Sequence, residues 1–84
     1  MQITWKPVER NEPRSKLPAS AFAFPAERKE PLTDAAHVRS AIARFAQVGG
    51  VSDAERSQAF ANIRSAARYY GVALHAASWH DLVA

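Results

Sequence analysis

The chain has 84 residues, 48% hydrophobic and 23% charged, with 11 basic against 8 acidic side chains, a net charge of +3 and no cysteine. This length allows one small domain, since a domain near 60 residues buries only about 60% of the surface its unfolded chain exposes. Lack of cysteine excludes disulfide staples, thiolate zinc sites and thiol nucleophiles, which suits a reducing cytoplasm, and with no apolar run near the ~18 residues of a membrane span and no apolar leader block, the expectation is a soluble cytoplasmic monomer away from membranes.

The prolines at 7, 13 and 18 recur among Glu, Arg, Asn and Lys, and little besides Ile3, Trp5 and Val8 is available for burial. Residues 1–16 are therefore expected to form a disordered tail ahead of a single small helical domain over 17–84. Trp5 reads first as a loosely docked aromatic and second as an anchor for a partner. In the stretch from Leu17 to Pro25, Phe22 and Phe24 lie two apart and point to one side of an extended segment. The expectation is an extended arm laid on the helices, with a minor strand as one form of it, then a polar turn over 26–30.

Thr33 or Asp34 caps a predicted helix over about 34–48, whose apolar stripe is Ala35, Val38, Ala41, Ile42, Phe45 and Val48. Gly49 and Gly50 stop it. Ser52-Asp53-Ala54-Glu55 is a capping box, opening a second helix over 53–70 with Ala59, Phe60, Ile63, Ala66, Ala67 and Tyr70 inward and Gly71 at its end. Val72-Ala73-Leu74 is a brief extended stretch, able to add a strand beside Phe22 to Phe24. A second capping pattern at Ser78 predicts a terminal helical turn through about Val83, with Trp79 and Leu82 facing inward. The fold class is mainly α: an antiparallel helical pair plus a short C-terminal helical turn and an extended N-terminal arm.

No residue pattern identifies a catalytic, cofactor or metal site. His37 lies three residues after Asp34, a spacing that more often gives local electrostatics than catalysis. His75 and His80 miss the i, i+4 spacing of paired ligands. No serine sits in a nucleophile elbow and no glycine-rich phosphate loop is present. An enzyme using His37 or His80 is thus the least favoured reading. If His80 is buried under Trp79 it is held neutral, and the terminal turn undocks on mild acidification.

The helix-turn-helix outline offers weak nucleic-acid binding as an alternative. It would use Arg39, Arg44, Arg56, Arg64 and Arg68, with Arg56, Gln58, Asn62 and Arg64 toward the groove and Lys29, Arg39 and Arg44 on phosphate. Against it, the signs of charge are interspersed along the whole chain, and Asp53 and Glu55 sit where such a helix meets bases. The favoured reading is a protein-binding module with Trp5, Phe22 and Phe24 as contacts.

Leu17-Pro18-x-x-Ala21-Phe22-Ala23-x-Pro25-x-x-Arg28-Lys29-x-Pro31-Leu32-x-Asp34, followed by Ala36-His37-Val38-Arg39-x-Ala41-Ile42-Ala43-Arg44-Phe45, Val51-Ser52-Asp53-Ala54-Glu55-Arg56 and Tyr70-Gly71-Val72, resembles a small domain family of unknown function. That family occurs in bacterial proteins and phage-associated reading frames. The resemblance spans about Leu17 to Leu82 and leaves residues 1–16 outside. It implies a self-contained module engaged in binding or assembly, and it brings no catalytic residue or cofactor to any position.

Overall fold

The computed structural model describes residues 3–8 and 12–83; residues 1, 2, 9–11 and 84, with the part of the tail expectation that falls on them, lie outside the described residues. The longer main helix, α2 (Asp53–Tyr70), begins where its capping box puts it. The Ser52 hydroxyl accepts from the Glu55 amide at 3.1 Å, and the Glu55 carboxylate accepts from the Ser52 amide at 2.9 Å. Two amides that a helix start would leave orphaned are thereby bonded. At the far end Gly71 adopts φ 71°, and the Val72 amide returns to the Ala67 carbonyl at 2.8 Å. A residue with a Cβ is strained in that left-handed conformation.

The preceding helix, α1 (Ala35–Arg44), starts at Asp34, whose carboxylate accepts from the His37 amide at 2.7 Å. It is shorter than its apolar stripe predicts. Beyond Arg44 the backbone tightens into a 3-10 turn at Phe45–Gln47, a frequent ending for α-helices. Phe45 and Val48 remain buried through that turn.

The expected extended arm is one half of a β-hairpin. Strand β1 (Phe22–Phe24) pairs antiparallel with β2 (Lys29–Pro31), Phe22 opposite Pro31 and Phe24 opposite Lys29. Residues 26–30, expected as one polar turn, supply both the turn and the start of the second strand. Val72 to Leu74 do not join this sheet; Val72 and Leu74 pack their side chains on the core instead. Arg28 and Glu30 take φ of 53° and 58°, left-handed values uncommon outside glycine. Arg28 is held there by its own side chain. Its guanidinium donates to the carbonyls of Arg14 at 3.1 Å and Leu17 at 2.8 Å and lies 4.7 Å from the Phe22 ring centre. Arg14 donates back to the Arg28 carbonyl at 3.1 Å.

Packing puts the hairpin between the helices: α2 lies on β1, α1 lies on β2, and the two helices touch each other. All three β1 residues are therefore buried. The fold is mainly helical, but its core is organised by a two-stranded sheet rather than by a helical pair alone.

The tail expectation is corrected for residues 3–8 and 12–16. Trp5 is only 7% exposed and belongs to the main core. Its amide donates to Asn62 Oδ1 at 2.9 Å, its indole Nε1 donates to the Leu32 carbonyl at 3.1 Å, and the rings of Tyr69 and Tyr70 meet it edge-on at 5.7 and 5.9 Å. A tryptophan with its N–H satisfied buries enough area to order a short polar segment. Further along, a 3-10 turn at Arg14–Lys16 leads to buried Leu17, which packs with Ala21, Phe22 and Val8 in a second, smaller cluster.

The terminal turn is present as α3 (His80–Val83), with Trp79 and Leu82 half-buried against the core. Its cap differs from expectation. The Asp81 carboxylate reaches back to the amides of Ala77 at 2.8 Å and Ser78 at 3.3 Å, whereas the Ser78 hydroxyl lies 3.4 Å from His80 Nδ1. His80 stacks on Trp79 with ring centres 3.8 Å apart, yet it is exposed. The burial that the acid-labile expectation required is absent.

Candidate functional site

Pro25 ends β1 and swings the hairpin turn out over the first turns of α2. Because Ala26 on the turn and Ala54 on the helix are small, the two elements meet with a cleft of about 240 Å³ between them. Phe24, Pro25, Ala26 and Ala54 give it an apolar lining, completed by Ile3, whose carbonyl accepts from the Gln58 side chain at 3.3 Å. Glu27 from the turn and Glu55 from the helix also line it.

A hydrogen bond between these two carboxyl groups shifts their titration in opposite directions. The bond to Glu55, together with partial burial, raises the Glu27 carboxyl above its ordinary range. The same bond first, and then the Ser52 amide, lowers that of Glu55. Two acids with opposed shifts thus lie at the meeting of the turn and the helix.

A second, larger and more polar groove of about 640 Å³ runs between β2, the Arg14 turn and α1. Asp34, His37, Ser40 and Arg44 line its helical side. His37 Nδ1 lies 2.8 Å from Asp34 Oδ1, both side chains being about half exposed. The Asp34 carboxyl is lowered, first by the His37 amide and then by the His37 ring. Asp34 thus acts as a cap, and among the described residues no hydrogen bond joins Ser40 to His37. No group of three or more His, Asp or Glu side chains able to hold a metal ion occurs among the described residues.

The residues read from sequence as partner contacts sit inside the molecule. Phe22 is 0% and Phe24 1% exposed, and with Trp5 they are core residues; Phe24 alone reaches a cleft, as part of its lining. Neither the arm nor the segment before it had an outward aromatic to offer, because both are sides of the same core. Of the five arginines, Arg39, Arg44, Arg64 and Arg68 are exposed and Arg56 is half-buried. Arg56 pairs with Asp53 at 3.2 Å and lies 5.6 Å from the Trp79 ring centre, and Arg64 donates to the Ala77 carbonyl at 3.2 Å while covering Phe60. Asn62, expected toward a groove, is buried: it accepts from the Trp5 amide and donates to the Ala23 carbonyl at 3.0 Å. The cleft residues Glu27, Ala54 and Gln58 carried no signal of a cleft, since it arises only when turn and helix meet.

Fold and clefts together define a small, mainly helical domain organised around a β-hairpin. Residues 5–77 match the model of a family of unknown function (DUF6582), and the chain belongs to that family. The match starts at Trp5, so the family unit includes the segment that the sequence reading left outside. No curated protein and no solved structure matches the chain. No helix among the described residues is long and apolar enough to cross a membrane.

Proposed function

We propose that this domain is a protein-binding module that receives an apolar side chain of its partner in the cleft between the hairpin turn and α2. One observation carries this reading: a preformed apolar cleft of about 240 Å³. That volume falls below the ~300 to 1,000 Å³ of small-molecule sites, so one or two side chains suit it better than a cofactor. This reading keeps the cytoplasmic setting, the monomeric state and the bacterial or phage context expected from sequence. The nucleic-acid alternative draws less support, because Arg56 and Arg64 are already engaged with Asp53 and Ala77.

The test is selection of a random displayed peptide library on the immobilised protein, followed by binding to Ala54→Trp. Ala54 is exposed, so the larger side chain fills the cleft without entering the core. Enriched peptides should lose at least about tenfold in affinity on Ala54→Trp, or ~1.4 kcal/mol. Failure to enrich any peptide, or peptides indifferent to that substitution, overturns the proposal.

A further inference from the structure

Resting on that reading, we infer that Gln58 sets the polarity of the cleft: its Oε1 is a fixed acceptor, and the partner meets it with a main-chain N–H beside the apolar anchor. Gln58 stands on α2 one turn beyond Ala54, and both line the cleft. Its orientation is dictated from inside the molecule. The Trp5 amide can only donate, so the Asn62 atom facing it at 2.9 Å is Oδ1, and Asn62 Nδ2 is left for the Ala23 carbonyl at 3.0 Å. Gln58 must then turn a donor to Asn62 Oδ1, and its Nε2 does so at 3.0 Å while also donating to the Ile3 carbonyl at 3.3 Å. Both N–H groups of that amide are committed to oxygens that can only accept, and flipping it would set oxygen against oxygen twice. Oε1 is therefore the polar atom that Gln58 has left for the cleft, and no donor among the described residues bonds it. A cleft that takes one or two side chains has the partner's main chain crossing its mouth, where Gln58 is half-buried. Every residue but proline carries an N–H there. An acceptor already held in place costs a partner less ordering than a free glutamine, and the two bonds from Nε2 make the oxygen a stronger acceptor.

The peptides enriched on the wild-type protein test this directly. Aligned on the apolar anchor, they should exclude proline at one position next to it. Replacing the N–H at that position by an ester oxygen should weaken binding to the wild-type protein about two- to tenfold, the range of one hydrogen bond. On Gln58→Met, which keeps the length of the side chain and removes the acceptor, the same ester should cost little. Helical circular dichroism reports whether that variant folds. The wild-type protein supplies a second measurement, which decides the matter if Gln58→Met does not fold: the Gln58 side-chain amide resonances should move on binding the amide peptide and move less with the ester. Cleft-dependent peptides whose esters cost the same on wild type and Gln58→Met at every position, or which leave those resonances unmoved, overturn this inference and leave the protein-binding reading standing. Peptides indifferent to Ala54→Trp overturn both.

Discussion

The two ends of the chain are fastened to the same helix by different means. On the N-terminal side, Trp5 is buried and its amide bonds to buried Asn62 of α2, a residue that also holds the Ala23 carbonyl of β1. On the C-terminal side, Val72, Leu74, Trp79 and Leu82 are only half-buried, and the bonds from Arg64 and Asp81 that hold residues 77 and 78 lie in solvent. A bond in the dry interior is directional and expensive to leave unmade, whereas one at the surface competes with water. The segment that looks like a tail in sequence is therefore structural, and the segment with the better helix signal is the peripheral one.

The strongest way to break this comparison is Trp5→Ala. Losing a buried aromatic costs about 3 to 5 kcal/mol, most of the ~5 kcal/mol available to a domain of this size. Urea unfolding should show the variant largely unfolded without denaturant. A loss below ~1 kcal/mol would return residues 3–8 to the status of a tail.

Asn62→Ala isolates the polar half of the same fastening. It strands the Trp5 amide and the Ala23 carbonyl, and each buried group left unbonded costs about 1 to 3 kcal/mol. The expected loss is about 2 kcal/mol or more, accompanied by faster amide exchange at Trp5 than at residues of the α2 interior. Asp81→Ala sharpens the other side of the comparison. It removes the carboxylate that caps residues 77 and 78, for about 1 kcal/mol. The change should be confined to α3, seen as faster exchange over 77–83 with the global unfolding midpoint nearly unmoved. A global loss equal to that of Asn62→Ala would mean both ends belong to one cooperative unit.

What the sequence made legible follows the same division. Ser52 and Glu55, Asp34 and Gly71 act within four residues of themselves, and their caps are where the pattern predicts them. Trp5 finds its partner 57 residues away, and nothing local marks Asn62 as the polar side chain that α2 turns inward. The hairpin was equally hidden, since its turn lacks the Asn-Gly or Asp-Gly signature and relies on Arg28 and Glu30 at positive φ. Arg28 supplies by tertiary hydrogen bonds what glycine supplies by lacking a Cβ. The cleft inherits both problems, because one wall is that turn and the other is the start of α2.

The smallest expected effect is on the carboxyl pair, and its sign follows from the two shifts. Glu27 is raised above its ordinary 4.5 by its bond to Glu55, so the folded chain holds that proton longer than the unfolded chain. Its contribution is present below that ordinary value and is lost as pH rises through the raised one. Glu55 is lowered, so its contribution is present above its ordinary value and is lost as pH falls through the lowered one. Asp34, lowered chiefly by the His37 amide, adds to the same acidic limb. Glu27→Gln supplies a permanent donor to Glu55 and removes only the upper window. Thermal midpoints of the variant and the wild-type protein from about pH 3 to 7 should therefore diverge as pH rises, with the variant the more stable at neutral pH and the two converging in acid. A difference that is constant with pH would mean that Glu27 and Glu55 do not couple the turn to α2.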